Sequence, residues 1–288
     1  MDGVIVINKS LGCTSFDIVR QVKKIFGKKV GHTGTLDPMA EGVLPILIGK
    51  GTLISKYLIN HDKTYVATLT LGKKTDTADS EGKVLCEEKI DGKMLEKDFV
   101  ESKLKGFLGK QKQIPPIYSA IKVNGKKLYE YARKNEDVEI KPRDIEIYDI
   151  KLLKIEEQNI TFKCSCSKGT YIRSLCEDIA ESLGTIGYMS KLIREKVGEF
   201  EIKDAITIQE LQENFNNRDF WDKYFISIES LFQKCNQVIL DDNRLKHFLN
   251  GVKITVKQED GLYRIYNNQS FIGLGKLENH LLKRDIIL

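Results

Sequence analysis

Residues 3–8 (GVIVIN) are a short apolar run of the kind that forms a buried strand. Residues 14–26 then place Ile18, Val22, Ile25 and Phe26 on one face of an amphipathic helix. From Lys28 to Gly42 the periodicity stops. KKVGHTGTLDPMAEG holds three glycines and a proline among polar residues, which predicts a long loop, and long ordered loops usually carry function. VLPILIG (43–49) predicts a core strand, followed by a short helix through Leu58. Residues 64–71 alternate with Tyr65, Ala67, Leu69 and Leu71 on one face of a further strand. KKTDTADSEG is a second aperiodic loop ending in a strand near Val84.

Further along, residues 97–108 predict a helix, two prolines (Pro115, Pro116) precede a strand, and Asn124-Gly125 is a strong hairpin signal. A helix is predicted over 128–134. Residues 143–156 and 160–168, split by Gln158-Asn159, predict two antiparallel strands, and a helix over 170–183 stops at Gly184. Thr207 and Glu210 form a capping-box pattern. Hairpin-linked strands with interspersed helices predict an α+β fold with a mixed, largely antiparallel central sheet flanked by helices. After about Asp222 the elements shorten into a helix closing on Gly251 and strands near Ile254, Tyr263 and 271–277. The predicted division is therefore a large domain, 1–222, and a small β-rich module, 223–288.

Composition narrows the class. With 41% hydrophobic and 30% charged residues the 288-residue chain is globular, with room for one large and one small domain. No apolar run is long enough to cross a bilayer and the first ten residues lack a signal-peptide pattern, so a cytoplasmic protein with no membrane role is expected. The six cysteines are expected as reduced thiols. Cys164 and Cys166 are too close for a zinc knuckle and no histidine completes a ligand pattern, so no metal is expected. There is no GxGxxG, and Gly49-Lys50-Gly51 lacks the spacing of a phosphate-binding loop; no nucleotide cofactor is expected. Net charge is +5, and residues 1–60 carry eight Lys/Arg against four Asp/Glu. A positive N-terminal region attracts polyanions, though a bias of this size also occurs on ordinary surfaces.

Within the first aperiodic loop, Asp37 stands between Leu36 and Pro38, whose ring restricts the aspartate backbone to extended conformations. A carboxylate held this way can serve as nucleophile, general base or metal ligand, while Asp-Pro is also ordinary turn chemistry.

The stretch GHTGTLDPMAEGVLPILIGKGT resembles the signature of the TruB family of pseudouridine synthases. In family order, INKSLGCTSFD resembles its N-terminal motif, KTYVATLTLGKKTDTADSEG its tyrosine strand, IPPIYSAIKVNGKKLYEYAR its Pro-Pro-Ser-Ala segment and CSKGTYIRSLCEDI its arginine motif. Together these cover roughly the first 200 residues, and the C-terminal part looks like the PUA-type RNA-binding module that follows them. The resemblance implies a pseudouridine synthase fold and a cofactor-free enzyme that flips a uridine from the tRNA T-loop, position 55, and returns the base through carbon. Asp37 would be the nucleophile, Arg173 its ion-pair partner, and Tyr65 the ring stacked on the flipped uracil. His32 would enter the RNA beside the vacated base, Tyr171 and Leu192 would line the uracil pocket, and Lys9 would support the site from the first motif. Asn8 and Ser10 flank Lys9 where the family commonly has Asp and Pro. The implied partner is the tRNA T-arm, bound by a monomer. A synthase of another RNA, a non-catalytic RNA-binding protein on the same scaffold, and a partner-binding role for 223–288 are the competing expectations.

Overall fold

A computed structural model describes residues 1–134 and 136–288. The chain begins β1 (Gly3–Lys9), α1 (Ser15–Phe26), β2 (Val30–His32), β3 (Ala40–Ile48), α2 (Ser55–Leu58), β4 (Lys63–Leu71), β5 (Lys73–Thr75) and β6 (Val84–Glu87). It continues through α3 (Lys97–Lys105), β7 (Gly109–Gln113), β8 (Lys122–Val123), β9 (Lys126–Lys127), α4 (Leu128–Lys134), β10 (Arg143–Glu156), β11 (Asn159–Cys166), α5 (Ile172–Leu183), β12 (Gly187–Val197) and β13 (Phe200–Glu201). The remainder is α6 (Ile208–Glu213), α7 (Arg218–Tyr224), β14 (Ile226–Ser227), α8 (Ile228–Leu231), β15 (Gln237–Ile239), α9 (Asp242–Leu249), β16 (Ile254–Thr255), β17 (Gly261–Asn267), β18 (Ser270–Glu278) and β19 (Leu281–Ile287).

Ten strands make one sheet, ordered β14-β1-β3-β12-β4-β11-β10-β7, with β13 on β12 and β2 on β3. Among the described residues only β3 and β12 pair in parallel in it, so the sheet is mixed and largely antiparallel as its hairpin-rich sequence predicts. The seam β3-β12-β4 lies mid-sheet and places Leu192 opposite both Ala40 and Ala67, and Arg194 opposite both Gly42 and Tyr65. Gly42 has φ +107°, and a Cβ there would lie 2.3 Å from the Arg194 carbonyl oxygen, so only glycine lets these strands close. Helix α5, ended by Gly184 at φ 89°, lays Ile172, Leu175, Cys176, Ile179 and Leu183 into the core on this sheet. On another part of the sheet, Ile18, Val19 and Val22 of α1 pack with Ile5, Ile7, Leu44 and Ile46. Thr14 and Asp17 exchange capping-box bonds at the start of α1.

Residues 28–42 are not one loop: Val30–His32 pairs antiparallel with Ile46–Ile48 and β3 already starts at Ala40, leaving 28–29 and 33–39 irregular. A three-residue strand is too short to show a period. The two prolines precede a strand as expected, the short β8, and a strand the sequence did not suggest, β7, lies before them at the sheet edge, its polar sequence GKQKQ showing no apolar alternation. The Asn124-Gly125 hairpin forms, with both residues at positive φ between β8 and β9.

The last strands form a separate five-stranded sheet, β15-β17-β18-β19-β16, with its own core around Leu240, Phe248, Ile265, Leu277 and Leu282. It packs onto the large sheet: Leu274 and Ile286 share a cluster with Val4, Val6, Leu47 and Ile54, and Asp285 accepts a hydrogen bond from Tyr57 Oη at 2.5 Å. Among the described residues, no helix is long and apolar enough to cross a membrane.

Candidate active site

The loop 33–39 turns back on itself, with Ala40 N–H donating to the Asp37 carbonyl at 3.0 Å, and is fastened along its length. Ser15, at the start of α1, donates from Oγ to the Leu36 carbonyl at 3.0 Å and accepts from Leu36 N–H at 2.8 Å. Gly12 N–H and Lys9 Nζ both donate to the Pro38 carbonyl, at 2.9 and 3.2 Å. Arg194, 1% exposed, donates to the carbonyls of Val43, Gly34 and Thr35 at 2.8, 3.0 and 3.4 Å. Such satisfaction of backbone groups turns a glycine-rich segment into a rigid platform for Asp37.

Arg173 meets that platform from the first turn of α5. Its Nε lies 3.0 Å from Asp37 Oδ2 and its Nη1 lies 3.4 Å from Asp79 Oδ2, while Nη1 and Nη2 donate to the carbonyls of Thr77 and Tyr118 at 3.2 and 2.9 Å. One buried guanidinium therefore gathers the Asp37 loop, the 76–83 loop and the segment after Pro116. Asp79, 3% exposed, is itself oriented by Thr77 Oγ1 at 2.6 Å and Glu81 N–H at 3.0 Å. The fixed fork of arginine suits this multiple bonding, which a lysine could not reproduce.

Asp37 keeps 34% of its side chain exposed, although protein crowds it on most sides. Burial raises its carboxyl above the usual aspartate value; Arg173 pulls the other way, and Lys9 and Arg194 pull with it less strongly. The group is thus exposed enough to meet a ligand and poorly solvated, the condition under which a carboxylate is most nucleophilic.

Around this pair, Tyr65 and Leu192 stand on neighbouring strands and share a buried cluster with Leu36, Met39 and Ile172. Burial pushes the Tyr65 phenol up to about 12, opposed by the adjacent Arg194 charge, so it is a neutral ring at physiological pH. Tyr171 is half-buried just before Ile172 and Arg173, and burial raises its phenol as well. Its backbone is clamped by Gln113, whose Oε1 accepts from Tyr171 N–H at 2.8 Å and whose Nε2 donates to the Tyr171 carbonyl at 3.0 Å. His32 sits at the other end of the loop, where its Nδ1 accepts from Gly34 N–H at 3.2 Å. Burial and then Arg194 lower its pKa, leaving a neutral imidazole with its proton on Nε2. Lys9 is fully buried and its ammonium is spent on three carbonyls, those of Ser10, Cys13 and Pro38, so it supports the loop and has no proton left for a ligand.

Sequence reasoning missed four residues that build the site: Ser15, Asp79, Gln113 and Arg194. Each acts on backbone or on another charge across long sequence separations, and none lies in a pattern that periodicity detects. Asp79 in the polar TDTADSEG loop gave the only available signal, an acidic residue in an aperiodic stretch.

An α+β domain that presents an aspartate on a fastened loop against a buried arginine, with a tyrosine strand beside it, has the architecture of the pseudouridine synthases. Comparison with known proteins specifies the branch. Residues 23–172 match the TruB family pseudouridylate synthase N-terminal domain, 173–233 the tRNA pseudouridylate synthase B C-terminal domain, and 237–283 the C-terminal domain of pseudouridine synthase II TruB. The chain belongs to the TruB family. It is 42% identical to the tRNA pseudouridine synthase B of Clostridioides difficile strain 630, over 97% of this chain and 96% of that one. Its identity to the enzyme of the same name from Clostridium tetani is 45%, over 96% of each. Among solved structures, a chain of a Cbf5-Nop10-Gar1 complex superposes with a TM-score of 0.69 at 26% identity, covering 96% of this chain and 78% of that one. A chain of an H/ACA RNP bound to a substrate RNA containing 2′-deoxyuridine gives 0.70 at 23% identity, over 99% and 85%, a likeness of fold.

Proposed function

We propose that this chain isomerises uridine to pseudouridine in tRNA, at position 55 of the T-loop, with Asp37 as the nucleophile and no cofactor. The observation that carries the reading is the Asp37–Arg173 pair, a partly exposed carboxylate locked to a buried guanidinium that Asp79 also engages. The reaction breaks the C1′–N1 bond and forms C1′–C5; one proton leaves C5, N1 gains one, and the atoms balance without a redox partner. A carboxylate suits both the attack and the later departure. Extrusion of the base from its stack costs a few kcal/mol, which stacking on Tyr65 offsets by about 1–3 kcal/mol. Tyr171 and Leu192 would line the uracil, and His32, uncharged and flat, would fill the space the base leaves. Lys9 supports the loop beneath.

The module of residues 223–288, whose sheet begins at Gln237, takes the PUA-like role of gripping the tRNA backbone. Because Leu274 and Ile286 are buried against the large sheet, its contribution is best measured by surface substitutions in the full chain, since deletion would bare that cluster. We infer a monomer as the working form, and the tRNA substrate suits a cytoplasmic enzyme.

The test is pseudouridine formation on an unmodified tRNA transcript without added cofactor, mapped to position, for the native chain and Asp37→Asn. T-loop product that disappears in the variant is the expected result. Tight tRNA binding by both proteins with no product from either would overturn the reading in favour of another RNA substrate or a binding protein.

A further inference from the structure

Helix α1 carries a surface that the reaction does not use. Its buried face is supplied by Ser15, Ile18, Val19 and Val22, yet Phe16 in the first turn is 64% exposed, the most exposed large hydrophobic among the described residues. The Arg20 guanidinium lies over that ring, 5.6 Å from its centroid. One turn further, Lys23 and Lys24 are both exposed, and neither forms an ion pair among the described residues. The helix has one acidic side chain, Asp17, and it is taken by Thr14 and Arg20. From Phe16 to Lys24 this face spans about 12 Å at ~1.5 Å per residue.

Position gives the face its meaning. Ser15 bonds Leu36 and Gly12 bonds Pro38, so Phe16 and the 62%-exposed Leu11 flank residues that touch the Asp37 loop directly. A ring with an arginine plane stacked on it, followed by unpaired lysines, complements a polyanion whose bases also offer flat faces. The excess positive charge of residues 1–60 lies partly here.

We propose that the exposed face of α1, from Phe16 to Lys24, docks the RNA that carries the target uridine, with Phe16 and Arg20 against an unpaired base and Lys23 and Lys24 on phosphates. This rests on the tRNA reading above and adds a surface to it. The test compares the native chain with Phe16→Ala and with Lys23→Gln/Lys24→Gln, measuring tRNA affinity over a range of salt together with the turnover rate at saturating tRNA. A control pair, Lys97→Gln/Lys105→Gln on α3, makes the same change in net charge. The α1 lysine pair is expected to lower the salt slope of log K by roughly 1.4–1.8, and Phe16→Ala to weaken binding by about tenfold at unchanged slope, both with turnover at saturation preserved. Equal effects from the α1 and α3 pairs, or none from any variant, would overturn the proposal. If the native chain itself neither binds nor converts tRNA, it is the functional reading that fails.

Discussion

Nε of Arg173 lies 3.0 Å from Oδ2 of Asp37, and Nη2 reaches the other carboxylate oxygen at 3.5 Å. Since burial drives the Asp37 carboxyl toward its neutral form and Arg173 leads the charges opposing it, the arginine favours the ionised carboxylate that the proposed role of Asp37 requires. Removing the cation in Arg173→Gln leaves burial less opposed. The carboxyl then rises further and the acidic limb of the pH–rate profile moves to higher pH, while the rate on its plateau falls by about a hundredfold or more. Arg173→Lys should restore only part, because an ammonium cannot bond Asp37, Asp79 and two carbonyls together. An acid limb that stays in place in Arg173→Gln would show that the pair does not set the ionisation of Asp37.

The same shift has a consequence for stability. The Asp37 carboxyl titrates higher in the folded chain than in the unfolded one, so between those two values the native state holds more protons and stability falls as pH rises. Above the folded value the deficit is constant. Asp37→Asn, which cannot ionise, should be at least as stable as the native chain at neutral pH while inactive, and that advantage should vanish below the ordinary aspartate range. Denaturant melts at pH 7 and near pH 3 check it. A variant clearly less stable at pH 7 would mean that the lost bond to Arg173 outweighs the relief of burial.

Tyr65 separates stacking from proton transfer. With its phenol pushed up to about 12, it does not ionise between pH 6 and 9, so any alkaline limb in that range belongs to another group. Tyr65→Phe keeps the ring and should preserve tRNA affinity, while Tyr65→Leu should weaken capture of the flipped base by about 1–3 kcal/mol. Identical binding by the two variants would rule out stacking as the role of this ring.

The site was legible in the sequence only through the resemblance to the TruB motifs: on their own, Asp37 before Pro38 reads as turn chemistry, Tyr65 as a packed ring in an alternating strand and Arg173 as a surface charge on a helix. The fold was legible where elements were long, as in α1, β10 and α5. What escaped was held by pairings across the chain. Val30–His32 is a strand because Ile46–Ile48 offers it partners, and Gln113 matters because Tyr171 comes to lie beside it 58 residues later. Arg194 has the same character. It reads as one charge in a mixed strand, yet in the fold it lies beneath the Asp37 loop and closes on Gly42.

That closure makes Gly42 a sensitive position. An added methyl at Gly42 meets the Arg194 carbonyl oxygen at 2.3 Å, with the Arg194 carbonyl carbon and amide nitrogen both at 2.9 Å, at a φ of +107° that other residues avoid. Backbone cannot step aside as a flexible side chain would. Gly42→Ala is expected to cost about 2–4 kcal/mol of stability from overpacking and strain together, and to lower activity by shifting the loop that Arg194 holds. Urea denaturation of the variant measures the first; a loss below about 0.5 kcal/mol would mean that β3 and β12 separate more easily than their register implies.

Gln113 offers the most discriminating test of how the arginine is placed. Its amide, on a residue only 3% exposed, satisfies both the N–H and the carbonyl of Tyr171, two residues before Arg173, and Ser174 Oγ bonds the Ile114 carbonyl at 2.8 Å beside it. The strand end and the helix start are thus joined as one piece. Gln113→Met conserves volume but leaves two backbone groups without partners, at about 1–3 kcal/mol each. Gln113→Glu keeps the acceptor and loses the donor, so it should fall between the two. If Gln113 positions Arg173, turnover should drop in the order native, Glu, Met with a smaller change in the Michaelis constant for tRNA, because Tyr171 is the one proposed RNA contact that Gln113 holds directly. The acid limb should also shift upward in the Met variant, as it does when the arginine charge is lost. A loss of stability with turnover and pH profile both unchanged would reduce Gln113 to a bond of the fold alone.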